Sequence, residues 1–299
     1  MPIAPASNED TMLEGFETRR IETSGATINV KTAGSGPPVL LLHGYPQTHL
    51  IWHEIAPRLT QTHTVIMTDL RGYGDSEKPA SDQAHAAYSK RAMAADQVEV
   101  MAALGFDRFA VVGHDRGARV SHRMARDHAG RVEKLAVLDI APTAFMYQAT
   151  DMAFATAYYH WFFLIQPYDL PERMIGADPA FYLDWILDNW CKTPGAIRPG
   201  ARDEYLRCFA DPVAIHASCE DYRAAATVDL EHDAADSGSK IAMPLLALWG
   251  RDGVVARSYD VLATWREVAE NVSGHAVPGG HFVPEEAPAE TLAALDDFL

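Results

Sequence analysis

The fold of this 299-residue chain is decided by the stretch Val111-Val112-Gly113-His114-Asp115-Arg116-Gly117-Ala118-Arg119. A run of β-forming residues leads into Gly-x-Asp-x-Gly, and a helix-compatible segment follows at 118–124. This pattern is that of a nucleophile elbow, a sharp strand-to-helix turn that lifts one side chain above an α/β sheet. Glycine permits such a strained turn and lets neighbouring chain segments approach it closely. Here the raised side chain is Asp115, and a carboxylate nucleophile can attack saturated carbon and leave an ester on the protein.

Two arginines, Arg116 and Arg119, fall in the first turn of the helix after the elbow. Cations there oppose the positive end of the helix dipole, and at a spacing of i, i+3 they can share one face and repel each other. One interpretation is that they pair with acids such as Asp127 or extend to solvent. The other is that a substrate carboxylate lies between them, because the arginine fork binds a carboxylate through two hydrogen bonds. We favour the second interpretation.

Composition favours a globular protein that binds neither nucleic acid nor an anionic membrane surface. Hydrophobic residues make up 48% of the chain and charged residues 22%, and the formal net charge is −16. With that net charge, local arginines must reverse the field at any site that takes an anion. No signal peptide or membrane-spanning apolar run is recognised, and the three cysteines lack metal-ligand spacing, so we expect free thiols in a reducing cytoplasm: Cys191, Cys208 and Cys219.

Short apolar runs alternate with amphipathic stretches, which predicts a parallel sheet covered on both faces. The predicted strands are 27–32, 39–42, 65–67, 109–112, 135–138, 245–249 and a possible last strand at 275–277, and the predicted helices include 92–104 and 290–299. The rhythm breaks between about Phe145 and Ser239, where aromatic residues have helical spacing. We therefore predict a core of 1–144 and 240–299, with a loose tail over 1–12, interrupted by a helical cap at 145–239.

Two further motifs supply candidate site residues. Leu42-His43-Gly44-Tyr45-Pro46 follows a predicted buried strand, and backbone N–H groups there can face an oxyanion beside the elbow. His281 follows two glycines after the last predicted strand, and in chains with such an elbow the catalytic base comes last in order. The acid that orients this base is Asp139 or Asp252, since each follows a predicted strand. Either aspartate could instead cap a turn or a helix.

These motifs resemble the α/β-hydrolase fold superfamily across essentially the whole chain, together with Trp52 and Asp69-Leu70-Arg71-Gly72-Tyr73-Gly74-Asp75-Ser76. Four segments resemble one branch more closely, the fluoroacetate dehalogenases, which act on haloacetates. These segments are His114 to Arg119, Tyr159-His160-Trp161-Phe162-Phe163, Leu42 to Thr48 and Leu138-Asp139-Ile140-Ala141-Pro142-Thr143.

The resemblance implies an α/β-hydrolase fold with the cap over the C-terminal ends of the strands, and it implies a role for each site residue. Asp115 would be the nucleophile, His281 the base for the hydrolytic water, and Asp139 its partner. Arg116 and Arg119 would hold the substrate carboxylate. The remaining expected groups are a halide pocket of His160, Trp161 and Tyr222, and oxyanion donors from the backbone of Tyr45 and Arg116. Tyr222 is placed only by its position late in the cap, and Tyr45 stands where phenylalanine is common in the family.

The strong hydration of fluoride favours a halide pocket of these three residues over simple aromatic packing of the cap. Fluoride leaves as a small, strongly hydrated anion, so a dry site must replace its water with aimed donors. An imidazole N–H, an indole N–H and a phenol O–H supply three such donors, and none adds a full charge if His160 is neutral.

The resemblance predicts a hydrolytic dehalogenase that converts fluoroacetate and other haloacetates to glycolate and halide. The expected partners are a small anionic 2-halo acid and water, with no metal or cofactor, and a homodimer is compatible with the family. An epoxide hydrolase or a neutral haloalkane dehalogenase has the same Asp-His machinery, but those relatives usually carry an aromatic residue at the position of Arg116. A ligand-binding protein without catalysis is the alternative from another class, and the intact nucleophile, base and acid argue against it.

Overall fold

A single eight-stranded sheet organises the computed structural model, which describes residues 12–299. The predicted loose tail therefore lies, except for Met12, outside the described residues. The strands in chain order are β1 Glu17–Glu22, β2 Thr27–Gly34, β3 Pro38–Leu42, β4 Thr64–Thr68, β5 Phe109–His114, β6 Val132–Leu138, β7 Leu245–Gly250 and β8 Val272–Val277. Their order across the sheet is β1-β2-β4-β3-β5-β6-β7-β8. β2 is antiparallel to β1 and β4, and the pairs from β4 to β8 are parallel.

The central strands are buried on both faces, as their continuous apolar sequences predict. In β3, Val39 to Leu42 are all fully buried, and the last four residues of β6 are equally inaccessible. Each predicted strand lies within an observed one. β1 was not predicted from the sequence, because its residues are mostly exposed and backbone hydrogen bonds to β2, rather than an apolar face, hold it in place.

In residues 12–144, three α-helices precede the predicted cap, α1 Ala56–Leu59, α2 Lys90–Ala103 and α3 Arg116–Asp127, together with short 3-10 helices at His49–Trp52 and Ala86–Tyr88. α3 begins directly after β5, so the elbow joins a central strand to a buried helix. Between β6 and β7 the chain is helical, in the segment predicted to be the cap. Its helices are α4 Thr143–Gln148, α5 Met152–Ala157, α6 Tyr159–Phe163, α7 Leu170–Ala177, α8 Pro179–Trp190, α9 Pro199–Phe209, α10 Pro212–Ala226 and α11 Val228–Ala235.

The chain returns to the sheet at β7 and closes with α12 Val254–Ser258, α13 Val261–Val268, α14 Val283–Glu286 and α15 Pro288–Phe298. The C-terminal ends of β3, β5, β6, β7 and β8 meet at one edge of the sheet, and the loops that follow these ends are where ligands bind in open α/β sheets. Within residues 12–299, the helices are all too short or too polar to cross a membrane.

Candidate active site

The elbow holds Asp115 in a strained backbone conformation, with φ at +44° and ψ at −114°. Strain of this kind persists only where the surroundings fix it, and it is concentrated at functional sites. Gly113 and Gly117 are part of those surroundings. A Cβ added to Gly113 would lie 2.6 Å from Ala118 Cα, and one added to Gly117 would lie 2.3 Å from the carbonyl oxygen of His43. Close packing against these glycines therefore maintains the turn.

The loop after β3 supplies a hydrogen-bond donor to the elbow. The backbone N–H of Tyr45 donates to Asp115 Oδ2 at 3.0 Å. This approach requires Gly44, because a Cβ there would lie 2.5 Å from Asp115 Cβ and 2.8 Å from the backbone nitrogen of Arg116. The backbone N–H groups of Tyr45 and Arg116, which were predicted as oxyanion donors, therefore both lie close to this contact between Gly44 and Asp115.

His281 pairs with Asp139 and not with Asp252. His281 Nδ1 lies 2.7 Å from Asp139 Oδ2, and the backbone N–H of Gly250 donates to Asp139 Oδ1 at 3.1 Å. Asp139 is buried at the end of β6, whereas the Asp252 side chain is exposed. His281 Nε2 is buried and has no hydrogen-bond partner among the described residues. The geometry is that of a nucleophile, a base and an orienting acid from three separate loops.

Opposite charges shift the pKa values of the nucleophile and the base in opposite directions. Burial alone would raise the pKa of Asp115, but the nearby charges of His281, Arg119 and Arg116 lower it below the usual range. Burial alone would lower the pKa of His281, but its hydrogen bond to Asp139 and the charges of Asp139 and Asp115 raise it. Asp115 is therefore ionised at neutral pH, as a carboxylate nucleophile must be.

Arg116 is fully buried and paired with a carboxylate that was not predicted from the sequence, that of Asp221. Its Nε and Nη2 donate to the two oxygens of Asp221, in the cap helix α10, at 2.9 Å and 2.6 Å. Asp221 also accepts from the hydroxyl of Tyr73 at 2.7 Å and pairs with Lys90. Asp127, the acid considered from sequence, pairs instead with other arginines. The remaining nitrogen of Arg116, Nη1, has no hydrogen-bond partner among residues 12–299.

Arg119 is a buried cation whose partners are neutral. Its Nη1 donates to Thr143 Oγ1 at 2.8 Å and to the carbonyl oxygen of Ala141 at 3.2 Å. In the part of the chain that the structure describes, no carboxylate lies within ion-pair distance of it, and its Nε has no partner. Burial is the main cause of a lowered pKa for Arg119, although a guanidinium stays charged in a protein. An anion beside Asp115 would supply the missing partner.

The three predicted halide ligands are all buried, and two of them, Tyr222 and Trp161, lie against the arginines. The Arg116 guanidinium carbon is 4.1 Å from the centre of the Tyr222 ring, and that of Arg119 is 4.7 Å from the centre of the Trp161 ring. His160 and Tyr222 have ring centres 5.7 Å apart. Neither the Tyr222 hydroxyl nor His160 Nδ1 has a hydrogen-bond partner among the described residues.

His160 is neutral, which the halide hypothesis requires. Burial is the main cause that lowers its pKa to about 3, and the positive charges of His281, Arg116 and Arg119 act in the same direction. The imidazole can therefore offer one N–H donor without carrying a full charge.

A cavity of about 210 Å³ between the cap and the core leads to Asp115 and His281. Its lining includes His160 and Trp190 from the cap, and Gly253, Val254 and Arg257 from the core. The side chains of Arg116, Arg119, Trp161 and Tyr222 are not among its lining residues; Arg116 packs against Tyr222, and Arg119 packs against Trp161.

Three residues near His281 and Arg116 were missed from the sequence. The Trp190 ring centre is 4.5 Å from that of His160 and 5.3 Å from that of His281. His114 Nε2 lies 2.7 Å from the carbonyl oxygen of His281, and burial lowers the pKa of His114 to about 3, so this neutral ring donates and fixes the base loop. Asp221 lies next to the predicted Tyr222 in the sequence, and this adjacency was the signal available for it.

Comparison with known proteins gives the family. A family model of the alpha/beta hydrolase fold matches residues 37–288. The chain belongs to the alpha/beta hydrolase family. This confirms the predicted fold class, and the chain is a hydrolase. Among residues 12–299, no group of three or more His, Cys, Asp or Glu side chains is arranged to hold a metal ion.

Individual relatives show which members of this family the chain is similar to. A fluoroacetate dehalogenase from Burkholderia sp is 45% identical over 289 residues, which is 96% of this chain and 95% of that protein. A soluble epoxide hydrolase from Corynebacterium sp. (strain C12) is 36% identical and covers 89% of this chain and 91% of its own. The crystal structure of a proposed alpha/beta hydrolase from Nostoc sp PCC 7120 superposes with a TM-score of 0.94 at 61% identity, covering 95% of this chain and 97% of that one. The resemblance to fluoroacetate dehalogenases inferred from the motifs is confirmed.

Proposed function

We propose that this hydrolase releases halide from haloacetates, including fluoroacetate, and produces glycolate through an ester on Asp115. The observation that carries the proposal is Arg119, a buried cation with neutral partners that lies close enough to lower the pKa of Asp115. An uncompensated buried charge is costly, so a substrate that brings a carboxylate is favoured over a neutral one. The similarity to a fluoroacetate dehalogenase points in the same direction.

In the first step, an oxygen of Asp115 displaces the halide. The Tyr45 N–H holds Oδ2, which leaves Oδ1 to attack the α-carbon opposite the carbon–halogen bond. The electron pair of that bond leaves with the halide, toward the N–H and O–H groups of His160, Trp161 and Tyr222. The substrate carboxylate lies against Arg119 and the unpartnered Nη1 of Arg116, and this fixed approach contributes much of the rate.

In the second step, water hydrolyses the ester on Asp115. His281 Nε2, which has no partner among the described residues, takes a proton from the water as it attacks the carboxyl carbon of Asp115. The oxyanion forms at Oδ2, where the Tyr45 N–H already donates. The proton then passes to the departing glycolate oxygen, and Asp139 stabilises the imidazolium in between.

Ester formation also prepares the base for its role. The charge of Asp115 is one of the causes that raise the pKa of His281. The carboxyl group of Asp115 carries no charge once it is esterified, although the attached acetate keeps its own carboxylate, so the contribution of Asp115 is lost when the first step is complete. His281 therefore becomes easier to deprotonate in the intermediate, where it must act as a base.

Epoxide hydrolysis is the second candidate function. It is favoured by the similarity to the Corynebacterium enzyme and by the buried hydroxyl of Tyr222, which has no partner among the described residues and could donate to an epoxide oxygen. A neutral epoxide would leave Arg119 without a counter-charge, which argues for the haloacetate.

Comparison of substrates tests the proposal directly. We expect halide release from fluoroacetate and chloroacetate, and little or none from a neutral chloroalkane of similar size, because only the acids neutralise Arg119. Halide release is measured under identical conditions, together with diol formation from styrene oxide. Turnover of the chloroalkane or the epoxide that matches or exceeds turnover of the acids would contradict the proposal.

Removal of Arg119 is expected to reduce recognition of the substrate's charge. Arg119→Ala should lower kcat/KM for chloroacetate. The expected loss of transition-state stabilisation is about 2–5 kcal/mol, the range for truncating one partner of a buried charge pair. Arg108→Ala removes an exposed arginine and is the control. Unchanged kcat/KM in the Arg119 variant would assign this side chain to structure alone.

The indole N–H of Trp161 should matter most for fluoride. Trp161→Phe keeps an aromatic ring but removes the donor, and loss of an oxyanion-type donor costs about 10²–10³ in rate. We expect a loss of that order for fluoroacetate and a smaller loss for chloroacetate, because chloride concentrates its charge less than fluoride. Tyr159→Phe on the same helix is the control. Equal losses on both substrates would show that Trp161 shapes the cap instead of solvating the halide.

A further inference from the structure

Glu286 is a buried acid outside the groups discussed so far, and its carboxylate accepts four backbone hydrogen bonds. Gly280 N–H donates to Oε2 at 2.8 Å and Phe282 N–H to Oε1 at 2.9 Å, so both neighbours of His281 are held by one side chain. The other two donors belong to the cap: Lys192 N–H at 2.6 Å and Thr193 N–H at 3.0 Å, both to Oε2. The side chain thus joins the base loop to the segment after α8.

The same two segments contact each other directly. The His281 N–H donates to the carbonyl oxygen of Trp190 at 3.1 Å. A Cβ on Gly280 would lie 2.3 Å from that carbonyl oxygen, so glycine is required for the base loop to come this close to the cap. The Trp190 ring in turn packs between His160 and His281. One carboxylate therefore holds both the base loop and the cap segment that lies next to it.

We infer that Glu286 is a positioning residue that couples the seated cap to the orientation of His281, and that it acts on ester hydrolysis and not on halide displacement. The inference rests on the proposed function for its kinetic consequence. Displacement requires Asp115, the arginines and the halide donors, none of which bonds to Glu286. Hydrolysis requires His281 Nε2 to meet the water and the ester, and a loop freed from Glu286 would broaden that geometry.

The test separates the two chemical steps. Glu286→Gln keeps the size of the side chain but turns an NH₂ group toward backbone N–H donors. With chloroacetate we expect a burst of one halide per site at the wild-type rate, followed by steady-state turnover slowed about 10–100-fold, by analogy with the loss when a group that orients a metal-binding side chain is removed. Glu290→Gln, an exposed acid on α15, is the control and should behave as wild type.

A second variant tests whether the contact between the two segments, and not only the Glu286 side chain, controls the second step. Gly280→Ala separates the same two segments without changing Glu286, and it should give the same pattern of an intact burst and slow turnover. Because the burst counts only folded sites, partial unfolding lowers its amplitude and not its rate. The inference is wrong if the burst rate falls together with the steady-state turnover in these variants. It is also wrong if both quantities keep their wild-type values in Glu286→Gln and in Gly280→Ala.

Hydrogen exchange tests the coupling without any substrate. In Glu286→Gln, the amides of 280–282 and of 192–193 should both exchange faster than in wild type. Unchanged exchange, or faster exchange in only one of the two segments, would overturn the coupling. If the wild-type protein releases no halide from any haloacetate, the proposed function fails, and the exchange measurement alone then decides the inference about Glu286.

Discussion

Replacement of Asp115 with asparagine is expected to lower halide release from chloroacetate by about 10⁴–10⁶-fold, the scale of losses seen when a catalytic nucleophile is removed. Asparagine has the same shape, and its oxygen can still accept from the Tyr45 N–H, so the elbow should remain folded. The amide lacks the negative charge needed to displace a halide. Halide release by Asp115→Asn is compared with that of Asp252→Asn, which changes an exposed aspartate and should behave as wild type.

Isotope labelling tests the role of Asp115 in the unmodified protein. A single turnover in oxygen-18 water should place the label in the Asp115 carboxylate before it reaches the product, because water attacks the ester at the carboxyl carbon. Mass spectrometry of the peptide that contains Asp115 reads the label. Oxygen-18 that appears directly in glycolate, with Asp115 unlabelled, would exclude the two-step mechanism.

Replacement of His281 with asparagine is expected to stop the reaction at the ester. The first step needs no base, since Asp115 is already ionised, so the variant should release one halide per site and then slow by roughly 10⁴-fold or more. Halide release against time measures the burst, and the mass of the intact protein should increase by one carboxymethyl group. Normal turnover, or the absence of an adduct after incubation with chloroacetate, would show that His281 has another role.

The two arginines of the elbow helix differ in how far their charge is balanced by the residues around them. Arg116 belongs to a buried network in which Asp221 and Asp229 lie against Lys90 and the arginine itself, so two acids face two bases. This balance leaves Arg116 with one free nitrogen but little uncompensated charge. Arg119 has neutral partners among the described residues, and in the proposed function it detects the charge of the substrate.

The negative net charge of the chain gives a physical reason to bury the arginines that would bind an anion. The chain carries a formal net charge of −16, so a small anion gains nothing from the average field of the protein. Burial of the arginines in a region of low dielectric keeps their field strong and shields it from salt.

Local sequence determined most of the fold. Continuous apolar runs predicted the central strands, since a strand covered on both faces has no polar side. The pattern from Val111 to Arg119 predicted the elbow, since only small residues fit where the structure places Gly113 and Gly117. β1 was not predicted, because its exposed residues have no periodic apolar pattern and its backbone pairing with β2 does not depend on side-chain type.

The candidate site was determined by sequence only in part. Asp115 and His281 stand in glycine-rich motifs whose local conformation defines them. The choice between Asp139 and Asp252 could not be made from the residues alone, because both follow strands that end at the same edge of the sheet. The bond between His281 and Asp139 joins residues 142 positions apart.

Tertiary structure alone decided which charges cancel and which loops are tied together. Arg116 meets Asp221 across 105 positions, and Glu286 reaches the cap at Lys192 across 94. Such contacts depend on how the cap lies on the core, and an aspartate in a cap helix has the same local sequence signal whether it faces solvent or a buried arginine. The sequence therefore specified the candidate reactive groups. The packing of cap against core decided which of their charges and donors are left without a partner. Burial makes each such unpaired group costly unless a ligand binds to it.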